Sequence, residues 1–280
     1  MDVTHTVAEL RARRAREASV VLVPTMGNLH AGHMALVEKA HEHGDCVVVS
    51  IFVNRLQFEP GGDFDRYPRT LEADCEKLAR AGCDVVFAPD ERQMYPAPQE
   101  IVLSPPRVAH TLEGEHRAGH FQGVVTVVAK LLNIVVPQVA IFGKKDYQQL
   151  MVLRELVRQL NFGVTVVPGE TVREPDGLAM SSRNGYLTPA ERQEAVRLSR
   201  VLGRIREAVA AGRRDFAELE KAAREDLAAH GWRPDYIAVR RRADLAPPGA
   251  DDHELVTLGA AWLGRTRLID NLEIEGGRHA

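Results

Sequence analysis

The stretch Ser19–His33 reads SVVLVPTMGNLHAGH, and the architecture of the chain follows from it. Its beginning, Ser19–Val23, is a run of β-branched and aliphatic residues that predicts a buried strand. A glycine-containing loop follows, and Gly32–Glu42 then predicts a helix that Gly44 stops. A strand, a loop and a helix in this order indicate a βαβ unit, whose strands lie parallel.

The same alternation continues to about residue 170. Further strands are predicted at Cys46–Val53, Cys83–Ala88, Val139–Phe142 and Val164–Val167, and further helices at Thr70–Ala81, Gly123–Val135 and Asp146–Leu160. The valines of Gly123–Val135 would also suit a strand, but the length of the run favours a helix. We therefore predict an α/β fold with a parallel sheet covered on both faces, which binds ligands at the carboxyl ends of its strands.

The pattern changes after about Ser182. Thr188-Pro189-Ala190-Glu191 is a capping box with proline at the first helical position, and it predicts a long amphipathic helix ending at Gly212. A second helix is predicted over Phe216–His230, and strands over Tyr236–Val239, Leu255–Leu263 and Arg267–Ile274, the last two joined as a hairpin at Gly264-Arg265. The chain is therefore expected to contain a smaller α+β domain from about residue 176.

The composition argues against several classes of protein. Lys and Arg number 36 and Asp and Glu 39, and this formal charge of −3 gives no reason to expect a nucleic-acid or membrane partner. Met1–Glu17 is charged throughout and predicts no signal peptide. The three cysteines are odd in number and lack C-x-x-C spacing, which indicates reduced thiols, a cytoplasmic protein and no structural zinc.

Two histidines stand where the first loop meets its helix. A helix N-terminus offers free N–H groups and a positive dipole end, so Pro24–His33 is a candidate phosphate site. Gly27 and Gly32 have the spacing of a P-loop, but His33 stands where that motif requires lysine. His30 and His33 can donate hydrogen bonds to one phosphate; the alternative is a pair of polar residues on an exposed loop. A metal site is disfavoured because no third ligand of suitable spacing is evident.

Three further polar clusters accompany this loop. Phe142–Gln149 follows another strand at the same edge of the sheet and carries two lysines and an aspartate. Met180–Asn184 is a serine- and arginine-containing loop at the expected domain junction. Asn54, Gln57 and Gln149 offer neutral amides, which suit a carboxylate that must stay nucleophilic. Taken one at a time, these clusters also fit a solvated surface, a linker and surface amides.

In this order, the four clusters resemble the pantothenate synthetase (pantoate–β-alanine ligase) family over nearly the whole chain. The matching stretches are Pro24–His33, Ser50–Phe58, Tyr67–Thr70, Leu112–Phe121, Phe142–Gln149, Asp176–Asn184 and Arg267–Asn271. The resemblance implies a Rossmann-like, doubly wound domain over residues 1–175 that binds nucleotide and pantoate, a C-terminal α+β lid domain over 176–280, and a homodimer. It also implies that ATP, pantoate and β-alanine give pantothenate, AMP and pyrophosphate through a pantoyl adenylate.

The resemblance also implies roles for individual residues. The family's catalytic positions match His33, His30 and Lys145. Its ATP-binding positions match Pro24, Thr25, Met26, Gly27, Asn28, Leu29, His30, Ala31, Gly32, His33, Gly143, Lys144, Lys145, Asp146, Val172, Met180, Ser181, Ser182 and Arg183. Its positions for pantoate and β-alanine match Gln57, Gln149, Asn54, Tyr67 and Arg117, with Glu113 also lining the cavity.

The resemblance does not assign the Mg²⁺ ligands, and the sequence departs from the family at two positions. Mg²⁺ accompanies ATP, but its protein ligands are unassigned, and Asp74 is a candidate. Arg55 and Ala118 stand where the family usually has proline, which otherwise restricts φ in these loops. Two other functions fit parts of the pattern: a nucleotidyltransferase that keeps the nucleotide on its product, and a non-catalytic RNA-binding module with the same fold.

Overall fold

The computed structural model describes residues 1–59 and 61–275, and within these ranges the chain forms nine strands and ten α-helices. The strands are β1 (Asp2–Thr4), β2 (Val20–Thr25), β3 (Cys46–Ile51), β4 (Val85–Phe87), β5 (Val139–Gly143), β6 (Thr165–Gly169), β7 (Trp232–Arg241), β8 (Leu255–Leu263) and β9 (Thr266–Ile274). The helices are α1 (Val7–Arg14), α2 (Ala31–Ala40), α3 (Leu71–Arg80), α4 (Glu91–Met94), α5 (Glu113–His116), α6 (His120–Val135), α7 (Tyr147–Gln159), α8 (Pro189–Glu194), α9 (Val196–Ala210) and α10 (Phe216–Ala229).

A parallel sheet of six strands is built from the described N-terminal part of the chain, in the order β1-β4-β3-β2-β5-β6. β2 lies near its middle and pairs with β3 from Val20↔Cys46 to Thr25↔Ile51. On its other side β2 pairs with β5, at Val21↔Val139. The strand order therefore reverses between β2 and β5, and ligands of such sheets bind outside the carboxyl ends of the strands at that point. The predicted doubly wound α/β fold is confirmed.

Apolar side chains cover both faces of this sheet, because successive residues of a strand point to opposite sides. Val20 and Leu22 of β2 pack in one cluster with the side chains of α6. Val21 and Val23 pack in another cluster, which includes Val37 of α2. Both faces of β2 are thus buried. This burial fixes the position of the carboxyl end of β2, where the loop to α2 begins.

The sheet has one edge that the sequence did not predict. β1 runs parallel to β4 with Asp2↔Val85 and Thr4↔Phe87 in register. The basic residues Arg11, Arg13 and Arg14 lie in the last turn of α1. Among the described helices, none combines the length and apolar composition needed to cross a bilayer.

The C-terminal part forms a separate antiparallel sheet in the order β7-β8-β9. β8 and β9 form the predicted hairpin, with Leu263↔Thr266 paired across a turn in which Gly264 has φ +56°. Thr188 and Glu191 form the predicted capping box, but the helix that follows is divided into α8 and α9 at Ala195. Ala195 keeps right-handed helical angles and its N–H bonds to the Glu191 carbonyl, so the division is a local irregularity.

The chain forms two compact units. Among the described residues, the N-terminal unit comprises Met1–Lys144 and Gln148–Glu170, and the C-terminal unit comprises Lys145–Tyr147 and residues 171–275. The sequence placed its domain boundary at residue 175. It did not anticipate that Lys145–Tyr147, far from Thr171 along the chain, groups with the second unit.

Candidate active site

The loop between β2 and α2 requires an unusual backbone. Gly27 has φ +84° and Asn28 has φ 51°, both in the left-handed region that glycine and asparagine tolerate best. A Cβ at Gly27 would lie 3.1 Å from Cγ2 of Ile51 and 3.3 Å from Oδ2 of Asp74. Glycine is therefore needed here both for the turn and for the close approach of Asp74.

Asp74 of α3 is fully buried and holds the loop in place. Its Oδ2 accepts the N–H of Asn28 and its Oδ1 accepts the N–H of Leu29, each at 2.8 Å. Thr70 Oγ1 donates to Oδ2 at 2.9 Å, and Lys77 lies 3.7 Å from Oδ1 while donating to the Leu29 carbonyl at 2.7 Å. Hydrogen bonds from a carboxylate to backbone N–H groups are strong, so Asp74 positions the loop.

This arrangement corrects the suggestion that Asp74 holds Mg²⁺. Both of its oxygens are directed at the backbone of the loop, and Lys77 lies beside them. Within residues 1–59 and 61–275, no group of three or more His, Cys, Asp or Glu side chains is arranged to hold a metal ion.

His30 and His33 form a capping box at the start of α2. His30 Nδ1 accepts the N–H of Gly32 at 3.1 Å, and His33 Nδ1 accepts the N–H of His30 at 3.3 Å. The two ring centroids lie 4.1 Å apart. Because Nδ1 accepts in both rings, the proton of each neutral imidazole lies on Nε2, and both rings present an N–H donor away from the helix backbone.

A chain of amides lies beside this loop. Asn54, after β3, is buried, and its Nδ2 donates to Gln57 Oε1 at 3.1 Å and to the Gly123 carbonyl at 3.2 Å. Gln57 Nε2 reaches Met26 Sδ at 3.1 Å, so the structure brings one member of the predicted amide cluster into contact with the predicted phosphate loop. Tyr95 Oη donates to Asn54 Oδ1 at 2.7 Å, a contact that nothing in the local sequence indicated.

The 3₁₀ turn that carries Gln57, Arg55–Gln57, packs tightly on α6. A Cβ at Gly123 would lie 2.1 Å from the carbonyl oxygen of Leu56, so only glycine fits at this crossing. His120, also on α6, bonds to the Gln57 carbonyl at 2.9 Å. Two parts of α6 therefore hold the backbone of Gln57.

Arg117 acts on this turn through His120. Its NH1 lies 3.0 Å from His120 Nε2 and 3.7 Å from the buried carboxylate of Glu113. Since the guanidinium only donates, His120 Nε2 accepts and its Nδ1–H donates to Gln57. The structure thus places Arg117 and Glu113 behind Gln57 as supports.

Gln148 and Gln149 differ sharply although they are neighbours on α7. Gln148 is 2% exposed; its Oε1 accepts the N–H of Glu113 at 2.9 Å and its Nε2 donates to the Val108 and Thr111 carbonyls at 2.7 Å. Its amide is fully engaged by the backbone. Gln149 is half-buried.

The aromatic residues near Gln57 form a group of their own. Tyr67 is buried, and its ring lies 5.9 Å from that of Phe58. Arg55, where the family has proline, lies 4.0 Å above the Phe64 ring and bonds to Glu91 at 3.1 Å. The departure at Arg55 therefore brings a cation–π contact with the aromatic group. Ala118, the other departure, is exposed.

The remaining predicted residues belong to different units. Lys144 lies in the N-terminal unit and pairs with Glu170 at 2.7 Å. Lys145, Asp146 and the Val172–Arg183 segment lie in the C-terminal unit. There Asn271 of β9 donates to the Lys145 carbonyl at 2.9 Å, which explains why this short segment groups with the second unit.

The loop before Arg183 is shaped by local hydrogen bonds. The Met180 N–H bonds to the Val172 carbonyl at 3.0 Å. Ser181 caps the short 3₁₀ turn that follows, accepting the Arg183 N–H at 3.3 Å. Val172, Met180, Ser181, Ser182 and Arg183 are all partly exposed.

Comparisons with known proteins find one family model and many similar proteins. The family model described as Pantoate-beta-alanine ligase matches residues 2–273. Proteins named pantothenate synthetase are similar: that of Nitrosospira multiformis is 55% identical over 98% of both chains, and that of Nitrosomonas europaea is 58% identical over 97% of this chain and 98% of its own.

Solved structures are similar as well. The pantothenate synthetase of Thermus thermophilus matches with a TM-score of 0.94 and 48% identity, over 98% of this chain and 100% of the other. The pantoate-beta-alanine ligase of Francisella tularensis, solved in complex with beta-gamma ATP and beta-alanine, matches with a TM-score of 0.81 and 32% identity, over 98% of this chain and 97% of the other.

Proposed function

This chain belongs to the pantoate-beta-alanine ligase family, and we propose that His30 and His33 assist the first step of its reaction, the formation of pantoyl adenylate from ATP and pantoate. The observation that carries this assignment is the imidazole capping box at the start of α2, in which both Nδ1 atoms accept backbone N–H groups, so that each neutral ring carries its proton on Nε2. A helix N-terminus attracts phosphate, and the two rings add donors where negative charge grows on it.

The reaction joins pantoate to β-alanine in two balanced steps. A carboxylate oxygen of pantoate attacks the α-phosphorus of ATP, and the bond to the β-phosphate oxygen breaks, giving pantoyl adenylate and pyrophosphate. The amine of β-alanine then attacks the carbonyl carbon, loses a proton, and expels AMP to leave pantothenate. Neither step needs a covalent enzyme nucleophile, so the protein contributes position and charge stabilisation.

In the N-terminal unit we assign ATP to the Pro24–His33 loop and pantoate to the amides. Gln57 and Gln149 hold pantoate, with Asn54, Tyr67 and Arg117 as supporting residues. Gln57 contacts Met26 of the loop, which supports one shared site for nucleotide and acid. Neutral amides bind a carboxylate without the full charge of an ion pair, which leaves its oxygen nucleophilic.

In the C-terminal unit we assign nucleotide contacts to Lys145, Asp146, Val172 and Met180–Arg183. Lys145, Ser181, Ser182 and Arg183 are the proposed phosphate ligands, because cationic and hydroxyl donors match phosphate oxygens. Asp146 is proposed for the ribose and Val172 for the adenine. Gly143 and Lys144, at the end of β5 in the N-terminal unit, are also assigned to the nucleotide.

Mg²⁺ is proposed to arrive with ATP. When bound, the ion neutralises phosphate charge, and it commonly keeps several waters and binds through substrate phosphates. Since the described residues offer no cluster of three suitable side chains, we assign the ion no protein ligands.

We further propose a cytoplasmic homodimer. Burial raises the pKa of Cys46 to about 11 and of Cys83 to about 12, and the three cysteines are unpaired, as expected of a reducing compartment. Ile101 is 80% exposed and Val102 42%, and a second copy packed against them would bury this apolar area. Light scattering after gel filtration should give twice the mass of the chain.

The test of the proposed function is a product assay in which ATP, pantoate and β-alanine are omitted in turn. Pantothenate and AMP should form only with all three, whereas ATP and pantoate alone should give one equivalent of pyrophosphate per enzyme and an adenylate held by the enzyme. Release of a product that retains AMP would instead support a nucleotidyltransferase. Failure of His33→Ala to slow pyrophosphate release would contradict the histidine assignment.

A further inference from the structure

Tyr95 lies two hydrogen bonds away from the proposed pantoate site. Its Oη donates to Asn54 Oδ1 at 2.7 Å, and Asn54 Nδ2 donates in turn to Gln57 Oε1 at 3.1 Å. The phenol follows the short helix α4, whereas Asn54 follows β3 and Gln57 lies on the 3₁₀ turn. Three separate segments of the N-terminal unit thus meet in one line of donors and acceptors.

The direction of this line is fixed by its two ends. The Gly123 carbonyl can only accept, so the Asn54 atom 3.2 Å from it is the Nδ2 amide, and the other end of that side chain is an acceptor. Tyr95 Oη supplies the matching donor, and burial raises the pKa of this phenol, which keeps its proton in place. Asn54 is 1% exposed, so a reversed amide would leave buried polar groups unpaired.

The orientation of Asn54 sets the orientation of Gln57. Because Asn54 presents N–H to Gln57, the Gln57 oxygen is the atom that turns inward and the Gln57 Nε2–H₂ is the group that extends to Met26. A reversed Gln57 would place two amide N–H groups against each other. Gln57 therefore offers donors at the loop, which suits a carboxylate or hydroxyl oxygen.

We infer that Tyr95 is a positioning residue for pantoate: through Asn54 it holds Gln57 with its N–H₂ group toward the substrate. This inference rests on the proposed pantoate site at Gln57. The inference gives Tyr95 no direct contact with pantoate or with ATP. Its effect should therefore appear in the binding of pantoate and should leave ATP binding unaltered.

The experiment compares Tyr95→Phe with Gln57→Ala, Lys130→Met and the double variant Tyr95→Phe/Gln57→Ala. Tyr95→Phe removes only the hydroxyl, and the expected result is a three- to tenfold rise in KM for pantoate with KM for ATP unchanged. Lys130 lies 5.0 Å above the Tyr95 ring and bonds to Gln99, so Lys130→Met disturbs the ring's surroundings but keeps the hydroxyl. Both KM values should stay at wild-type levels in that control.

The double variant separates positioning from general loosening. If Tyr95 acts through Gln57, adding Tyr95→Phe to Gln57→Ala should raise KM for pantoate no further. If Gln57→Ala does not change KM for pantoate, the proposed pantoate site is wrong; if it does and Tyr95→Phe does not, the inference about Tyr95 is wrong. Should Tyr95→Phe not fold, Asn54→Ala breaks the same line, and additive effects with Gln57→Ala would overturn the inference.

Discussion

Arg173 and Asp270 form a two-point ion pair in the C-terminal unit, with NH1 to Oδ2 and NH2 to Oδ1 both at 2.8 Å. Arg173 also donates to the carbonyl oxygens of Gly177 and Asn271 at 3.0 Å. Asp270 is 4% exposed, so the pair is largely removed from water. It ties the segment that leads to Met180 to strand β9.

Asp270→Asn should therefore destabilise the protein and weaken ATP binding. Removing one charge leaves the Arg173 guanidinium without its partner, and such losses cost about 3–5 kcal/mol in buried pairs. The neighbouring pair of Arg267 and Asp235, joined at 2.7 Å, provides the control Asp235→Asn. Urea unfolding should show a loss in both variants, but KM for ATP should rise only in Asp270→Asn; an equal rise in both would contradict this role.

His33→Ala should lower turnover far more than it weakens ATP binding. Loss of a donor to developing charge commonly costs about 2.7–4 kcal/mol of barrier, or a factor of roughly 10²–10³ in kcat. His41, at the other end of α2, bonds to the Ala81 carbonyl and supplies the control His41→Ala. Single-turnover formation of pyrophosphate, measured beside calorimetric binding of ATP, checks the expectation, and unchanged turnover in His33→Ala would refute it.

Asp74→Asn should disturb the histidine loop. An amide can accept the N–H of Asn28 or that of Leu29 but not both, so one of these N–H groups would face another donor. We expect a loss of about 1–3 kcal/mol of unfolding free energy and a clear rise in KM for ATP.

Asp84→Asn is the control for this change, because the Asp84 carboxylate accepts the Val47 N–H at 2.8 Å without touching the loop. It should lose stability and keep its KM for ATP. An Asp74→Asn protein that is as stable as wild type, or that binds ATP equally well, would show that the loop does not depend on this carboxylate.

Gln149→Ala and Gln148→Ala should have opposite signatures. Gln149 is assigned to pantoate, so its removal should raise KM for pantoate with little change in melting temperature. Gln148 binds three backbone groups, so its removal should lower the melting temperature because buried donors and acceptors lose their partner. Steady-state kinetics and calorimetric melting of both variants check this; a pantoate effect confined to Gln148→Ala would reverse the assignment.

The sequence predicted those parts of the fold that local pattern determines. Val20–Thr25, the loop and α2 combine an apolar run, glycines at the turn and helical spacing, and the structure has all three. β1 was missed because its three residues, Asp2–Thr4, carry no strand pattern and are held by pairing with Val85–Phe87, distant in the chain.

Prediction of the candidate site from the sequence met the same limit, because local pattern does not reveal contacts between distant segments. His30, His33 and Gln57 were identified because they belong to motifs that follow strands. Asp74 was named only as a candidate Mg²⁺ ligand, because its bonds to the loop depend on how α3 packs. Tyr95 could not be identified at all, since its contact with Asn54 joins segments that only the folded chain brings together.

The lack of room for a side chain at Gly123 limits how the proposed pantoate site can be redesigned. A methyl group there would meet the Leu56 carbonyl at 2.1 Å and force the turn with Gln57 away from α6. Variant libraries that aim to accept larger acids should therefore vary Gln57 and Gln149 and keep Gly123. A larger residue at position 123 would displace the proposed pantoate site without creating room in it.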